Sequence, residues 1–366
     1  YADRLYLNDG SGNFQRDEEA LPKLNYNGTT VVSHDFDQDG DMDLFIGNGA
    51  LANFYPYDSP STLLVNEGGK FKNASDLLPG KGNLGMINDA VWADVDGDAS
   101  KELVLAGEWM PISVLKYSEG SFSNITQKMG LGKTGGWWNS LALVDVNNDG
   151  KLDIVAGNRG DNSFFNATVD KPATLYANDY DGNGSVDPIP FYYYGNTAHP
   201  KHTLDEIFAH YPTIRRKFPR YKKFSTAVLA DLFSSEDLSD ALILETHTFS
   251  STVFINQGDG TFVGQKLPLR AQFSEVHGIL PYDIDGDGFV DLILTGNNYG
   301  TDVEMGRSDA SFGAVLMNDG QGNFQALTPA ESGFSVRGDS RGTYLLGDVI
   351  LTLRNQDKPV AFQRTK

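Results

Sequence analysis

The stretch HDFDQDGDMDLFIGN, His34 to Asn48, sets aspartates at alternate positions: Asp35, Asp37, Asp39, Asp41 and Asp43. So many like charges on so short a segment repel one another and oppose folding unless a cation sits among them. The apolar run that closes the stretch, LFIGN, has the length of a strand rather than of a helix. A repeated pattern would mean a structural device, and a solitary one would fit an active site.

The pattern recurs as DVDGDASKE from Asp94, DVNNDGKLD from Asp145, DYDGNGSVD from Asp179 and DIDGDGFVD from Asp283. Each copy has Asp or Asn at positions 1, 3 and 5 and a carboxylate at position 9. A hard divalent cation takes about six to eight oxygen ligands, and alternate side chains of a tight loop converge on one. The expected side-chain ligands are Asp35, Asp37, Asp39 and Asp43 in the first loop and Asp94, Asp96, Asp98 and Glu102 in the second. In the third and fourth they are Asp145, Asn147, Asp149 and Asp153, then Asp179, Asp181, Asn183 and Asp187. The last loop supplies Asp283, Asp285, Asp287 and Asp291. Position 7 is expected to offer its backbone carbonyl, from Asp41, Ser100, Lys151, Ser185 or Phe289. This donor set predicts structural Ca2+ at up to five sites.

Glycine at position 6 permits the sharp turn in four loops, whereas Ala99 stands there in the second, whose position 9 is also Glu rather than Asp. An EF-hand is excluded. It needs flanking helices and a bidentate Glu at position 12, which here is Ile46, Leu105, Ala156, Pro190 or Leu294.

A second motif interleaves with the first. LYLNDGSGNF (5–14), LLVNEGGKF (63–71), VLKYSEGSF (114–122), VFINQGDGTF (253–262) and VLMNDGQGNF (315–324) each read as apolar strand, Asn/Gly turn and aromatic, a hairpin signature. One metal-loop hairpin and one Asn/Gly hairpin make a four-stranded blade. From Asp179 to Asp283 there is room for one more repeat. Residues 227–245 align as a degenerate copy in which Asp231 survives and Phe233 and Ser235 replace ligands, with a helix over 227–232 as the alternative. Residues 344–362 read as a final repeat without a metal loop.

The expectation is a single all-β domain over 1–366, a seven-bladed β-propeller with six or eight blades as alternatives. Its ring closes by pairing the hairpin 5–14 with strands of 343–363, which leaves no free edges. The interval from Asp145 to Asp179 is short for a full blade.

Composition narrows the function. The 366 residues carry 49 acidic against 29 basic side chains, net −20, which argues against nucleic-acid backbone binding. With no cysteine there are no disulfides, thiolate metal sites or cysteine nucleophiles. No apolar run approaches the roughly 20 residues that span a bilayer, so membrane insertion is not expected. The chain opens in mid-pattern at Tyr1 without an initiator Met and reads as a piece of a longer protein, whose other domains are expected partners.

These loops and hairpins resemble the FG-GAP/VCBS repeat family, the calcium-loop propellers that include the integrin alpha-chain head. Asp35–Asp43, Asp145–Asp153 and Asp283–Asp291 fit its motif most closely. The detail looks most like one propeller of large exported bacterial proteins, common in Bacteroidetes, that combine FG-GAP repeats with an ASPIC/UnbV module. The resemblance implies calcium, a secreted or outer-surface address and a role as a binding or adhesion scaffold. It supplies no ligand.

An insertion over 199–225 departs from the repeat. Thr203 to Glu206 forms a capping box that predicts a short helix. Arg215, Arg216 and their neighbours up to Lys223 form the one basic cluster of an acidic chain. In a blade the metal loop joins the first two strands, so residues before the first and after the second lie at the other face. That face should gather Trp109, Trp137, Trp138, Asn139, Arg159, His277 and Tyr299, joined by Arg215 and Arg216. Aromatic rings among fixed polar groups suit a glycan or a protein ligand.

No nucleophile elbow, P-loop, dinucleotide fingerprint or HExxH motif is present, and the acidic residues are absorbed by metal loops. A non-catalytic binding propeller is therefore expected. A polysaccharide lyase on the same face and a purely structural adhesion module are the alternatives.

Overall fold

The computed structural model describes residues 3–301 and 306–363. Apart from short helices its regular elements are β-strands in antiparallel sheets, and among the described residues no helix is long and apolar enough to cross a membrane. The chain divides into two compact units, Tyr1–Asn88 with Tyr117–Ser123 and Phe165–Thr248, and Asp89–Lys116 with Asn124–Phe164 and Phe249–Lys366.

In the second unit, Ser140–Val144, Asp153–Gly157, Thr252–Asn256 and Phe262–Lys266 make one four-stranded sheet. Val276–Tyr282, Asp291–Gly296, Ala314–Asn318 and Phe324–Leu327 make another. Ser340–Leu346, Val349–Arg354 and Val360–Gln363 form a three-stranded sheet. Glu102–Met110 centres a further one, paired with Met86–Ala93, Ser113–Ser118 and Gly136–Trp137.

The strand after each acidic loop is apolar without a break because both its faces are covered. Asp153–Gly157 and Asp291–Gly296 are buried at every residue. Successive side chains point to opposite faces. Ile154 and Ala156 pack with Val104, Ala106, Val114 and Trp138, whereas Val155 packs with Leu292, Leu294 and Leu316. Ile293 and Val315 pack in turn with Phe334, Ile350 and Phe362. Antiparallel sheets stacked face to face in chain order are the blades of a β-propeller, and the fold is of that all-β class.

The glycine that ends these strands is there for space. A Cβ on Gly296 would fall 1.7 Å from the Glu275 carbonyl oxygen, and one on Gly157 would fall 2.5 Å from that of Val276.

The first unit contains the sheet Gly28–His34, Asp43–Asn48, Thr62–Glu67 and Lys70–Asn73, and a two-stranded hairpin of Leu5–Asn8 and Phe14–Asp17. Its third sheet runs in the order Thr197–Pro200, Asp187–Tyr194, Ala173–Asn178, Leu242–Thr246. Short helices cover that sheet, with Leu204, Ile207, Ile214 and Phe218 buried together with Ile189 and Phe191. The helix Leu204–His210 begins at the expected capping box: Glu206 donates its N–H to Thr203 Oγ1 at 3.4 Å, and its carboxylate accepts the Thr203 N–H.

Two expectations are corrected. Residues 227–245 are not a degenerate blade: they form the helices Leu229–Leu232 and Ser235–Ser239, then the strand Leu242–Thr246, which pairs with Ala173–Asn178. The segment has no glycine to make the turn. Phe233 is buried and stacks on Tyr180 at 4.3 Å, and the Asp231 carboxylate accepts the Val228 N–H at 3.0 Å as a helix cap.

The short interval after Asp145 has a different cause. Its repeat is interrupted after the second strand, and Ile154 and Ala156 pair with Phe254 and Thr252. The hairpin VFINQGDGTF therefore completes the sheet begun at Ser140. The insertion is much wider than 199–225, running from the end of Asp153–Gly157 to the start of Thr252–Asn256, and it contains the acidic loop at Asp179.

Candidate functional site

Two groups of residues occupy opposite ends of the sheets. At one end, each acidic loop folds over its own first carboxylate. Asp35 accepts the N–H groups of Asp39 and Gly40 at 3.1 Å, Asp145 those of Asp149 and Gly150 at 3.1 and 2.7 Å, and Asp179 those of Asn183 and Gly184 at 3.0 and 2.8 Å. Asp283 accepts those of Gly286 and Gly288 at 2.6 and 3.1 Å.

The position-9 carboxylate is buried and bridges the loop to the third strand. Asp43 accepts from Phe36 and Asn66, Asp153 from Val146 and Asn256, and Asp291 from Ile284 and Asn318, all through backbone N–H groups. Burial pushes these three carboxyls above the usual range, and the neighbouring loop carboxylates push the same way. Asp41, at position 7, turns its carboxylate away to the Gly68 N–H at 2.9 Å.

Among the described residues, carboxylate oxygens lie within 4.8 Å of one another in four groups: Asp35, Asp37 and Asp39; Asp94, Asp96 and Glu102; Asp179, Asp181 and Asp187; Asp283, Asp285 and Asp291. In the loop at Asp145 the amide oxygen of Asn147 takes position 3 and accepts the Asp149 N–H at 3.2 Å. Converging hard oxygens around a buried carboxylate can hold a metal ion, and the donor set suits a hard cation. The loop at Asp94 differs from its siblings in holding the Lys116 ammonium between its carboxylates.

At the loop-distal end of the second unit the GN pair positions a second group. Asn158, buried, accepts the N–H of Trp137 at 3.1 Å and that of Arg159 at 2.8 Å through its side-chain oxygen. The Trp137 ring meets Trp109 at 5.1 Å and Phe249 at 5.3 Å, and the Arg159 guanidinium lies over it at 5.2 Å. Asn139 donates its side-chain N–H to the Trp137 carbonyl at 3.2 Å. Trp109 holds a φ of 58°, a costly backbone for an aromatic residue.

Arg159 also pairs with Glu275 at 2.9 Å, and Glu275 in turn accepts from Asn298 at 2.8 Å and faces His277 Nε2 at 3.3 Å. Arg341 continues the chain to His277 at 3.2 Å and to Asp339 at 2.8 Å. Burial would raise the Glu275 carboxyl, but the hydrogen bond and charge of His277, the Arg159 charge and the Asn298 amide outweigh it and hold the group below its usual range. Beside this network lies a pocket of about 320 Å³ lined by Arg159, Phe164, Phe273, Arg307, Ser308 and Asp309. Arg307 also covers the exposed Tyr299 ring at 5.1 Å.

Of the residues expected on this face, Trp109, Trp137, Asn139, Arg159, His277 and Tyr299 sit in or beside these contacts. Trp138 does not. It is fully buried, packs on Phe254 at 5.7 Å and donates its indole N–H to the Thr134 carbonyl at 3.0 Å, so it belongs to the core. Arg215 and Arg216 are exposed on the first unit, where the Arg215 guanidinium lies 5.3 Å from the Phe208 ring. His199, one half of an HxxH spacing, is engaged by the Ala227 carbonyl at 2.9 Å. Asn298, beside Tyr299, is expected on this face from its place in the chain, whereas Glu275, Arg341, Phe249, Phe164 and Arg307 were not foreseen. The one signal in sequence was the Gly-Asn that recurs at 47–48, 157–158 and 296–297, at the end of the second strand.

Among solved structures, a structure described as recognition of non-reducing terminal N-acetylglucosamine by an Agrocybe aegerita lectin aligns at 19% identity over 89% of this chain and 87% of its own. The TM-score is 0.28, too loose a superposition to argue fold or ligand from. No curated protein matches the chain. Residues 1–46 and 94–156 match the family model of the FG-GAP-like repeat, taking in the acidic loops at Asp35, Asp94 and Asp145. Those two stretches are similar to FG-GAP-like repeats.

Proposed function

We propose that this is a non-catalytic, calcium-stabilised propeller that binds a ligand, foremost an acidic glycan, at the loop-distal face of its second unit. The observation that carries the reading is the edge-to-face cluster of Trp109, Trp137 and Phe249 with Arg159 over the Trp137 ring, beside a pocket that adds Phe164 and Arg307. A pyranose ring stacks on an aromatic face, and a guanidinium takes a carboxylate in bidentate fashion. The volume is at the small end for ligand pockets, enough for one or two sugar units.

Support for a binder over a lyase comes from the pairing of the groups that would carry acid–base work. Glu275 is held ionised, and it and His277 are engaged with Arg159, Asn298 and Arg341. Calcium, in this reading, supplies the charge that offsets the crowded carboxylates, with Asp35, Asp37, Asp39 and Asp43 and their counterparts in the other loops as ligands. The reading also takes in an exported or outer-surface address, and a longer chain with further domains, an ASPIC/UnbV module among them.

The test is a glycan array in calcium buffer with the parent chain and with Phe164→Ala and Arg307→Ala. Retention on uronate- or sialate-bearing glycans, lost in both variants at unchanged melting temperature, is expected. Retention that survives both substitutions refutes the face. Unsaturated uronate ends released from bound polysaccharide would make the protein a lyase, and binding to proteins alone would replace the glycan by a peptide.

A further inference from the structure

The loop at Asp94 departs from its siblings in three places at once. Position 6 is Ala99 where the others have glycine, position 9 is Glu102 where they have Asp, and the third strand reads VLKY where those of the loops at Asp35, Asp145 and Asp283 read LLVN, VFIN and VLMN. The register shows why these changes belong together. Leu103 pairs with Leu115, so Lys116 stands on the third strand beside Glu102. The residues at the same station of the other sheets, next to Leu64, Phe254 and Leu316, are Val65, Ile255 and Met317, all apolar.

In the loops at Asp35, Asp145 and Asp283 the second oxygen of the position-9 Asp accepts the N–H of Asn66, Asn256 or Asn318. Here Glu102 keeps the loop bond, accepting the Val95 N–H at 3.0 Å, and its longer side chain carries the other oxygen to within 2.8 Å of Lys116 Nζ. The same ammonium lies 2.5 Å from Asp96 and 2.8 Å from Asp98. Positions 3, 5 and 9, three donors that the other loops would turn on a metal ion, are thus turned on one nitrogen, whose side chain is largely buried.

We propose that Lys116 is a built-in cation that takes the place of calcium in the second loop, so that this blade holds its corner without metal. The proposal rests on the calcium reading for the remaining loops. Ammonium–oxygen contacts of this length and calcium–oxygen bonds of about 2.3–2.6 Å need the same central volume, so the two cations exclude one another. A divalent ion would have to expel a tethered ammonium that three carboxylates hold, and its own affinity would fall by that cost. The chain then takes up one ion fewer than its acidic loops would suggest. It also keeps one calcium-independent blade among calcium-dependent ones.

The experiment counts bound calcium per chain by equilibrium dialysis with metal analysis, for the parent and for Lys116→Met, which installs the residue found at the matching station, Met317, beside the loop at Asp283. The expected result is one more ion on Lys116→Met than on the parent, with a larger rise of melting temperature on adding calcium. Equal counts overturn the proposal. A parent that binds no calcium would refute the metal reading of the other loops; one ion gained by Lys116→Met would even then sustain the proposal, and none gained would overturn it. Should Lys116→Met fail to fold, Asp98→Asn decides. It should leave the count of the parent unchanged where Asp37→Asn lowers it by one, and an ion lost from Asp98→Asn overturns the proposal.

Discussion

Positions 3 and 9 of an acidic loop carry the same charge but should fail differently, and the loop at Asp283 separates them. Asp285 is exposed and accepts one N–H, from the exposed Asp287 at 3.1 Å. Asp291 is 1% exposed and accepts two backbone N–H groups, from Ile284 at 2.9 Å and Asn318 at 2.8 Å. Alanine at 291 leaves two partly or fully buried donors without an acceptor, at about 1–3 kcal/mol each. Part of that returns because the deleted carboxylate is itself strained by burial and by Asp285 and Asp287. A net loss of about 2–4 kcal/mol is expected without any metal, and Asp291→Asn, which keeps one acceptor oxygen, should lose about half of it.

Alanine at 285 removes a like charge from a crowded loop and orphans only a solvated N–H. In chelator it should cost less than about 1 kcal/mol or stabilise slightly. With calcium at a hundred times its dissociation constant, a lost site removes about 2.7 kcal/mol from either variant. The assay is urea unfolding of both variants in chelator and in calcium. If Asp285→Ala is as damaging as Asp291→Ala in chelator, position 9 has no structural duty of its own and the reasoning fails.

Other consequences follow from the loop-distal face and the core. Chelation should lower the melting temperature of the parent, and an unchanged curve would remove the metal from the loops altogether. Trp109→Gly should be more stable than Trp109→Ala, by about 1–3 kcal/mol, because glycine relieves the φ of 58° and alanine does not; equal stabilities would refute strain there. Trp138→Ala should cost about 3–5 kcal/mol as a core deletion while ligand affinity per folded molecule stays unchanged. The depressed carboxyl of Glu275 contributes stability that is fully present above its ordinary value of 4.5 and is lost as pH falls through its lowered folded value. Comparing acid unfolding of the parent with that of Glu275→Gln should show this part of the fall missing in the variant.

Much of the fold was legible because its signals are local and repeated. Asp35 to Asp43 and its siblings mark each turn by ligand spacing, and LFIGN, IVAGN and LILTGN mark doubly buried strands by unbroken apolarity. What escaped was pairing between segments far apart in sequence. Nothing at Gly157 announces that the next strand of its sheet begins at Thr252, since either strand would pair as well with a near neighbour. The alignment of 227–245 misled because apolar spacing around Asp231 satisfies a blade and a pair of one-turn helices equally. Glycine at the turn was the missing discriminator. Trp138 was placed on the face by its order in the chain, though two adjacent tryptophans on extended backbone must point to opposite sides. Lys116 was visible in VLKYSEGSF, but its meaning needed the register that sets it beside Glu102.

The interrupted repeat and the candidate face are one feature. At Gly157 the chain leaves the sheet begun at Ser140 and at Thr252 it returns, and the two crossing points are tied side by side. Asn158 accepts a place beside Ser251, its N–H donating to the Ser251 hydroxyl at 3.0 Å, and Gly160 donates its N–H to the Phe249 carbonyl at 2.8 Å. An insertion whose ends already meet adds little closure entropy, since each doubling of a loop costs only about 0.6 kcal/mol. It can therefore be long without loosening the sheet. Its two roots then furnish what a plain blade corner lacks: Arg159 and Phe249 clasp Trp137 from the departing and the returning strand, and Phe164 extends the departing root into the pocket. Shortening the insertion between Phe165 and Thr248 while keeping both roots should preserve binding at this face, whereas Phe249→Ala should weaken it with the rest of the chain intact. If the shortened protein folds and loses the ligand while Phe249→Ala keeps it, the binding residues lie in the inserted segment and the roots only carry it.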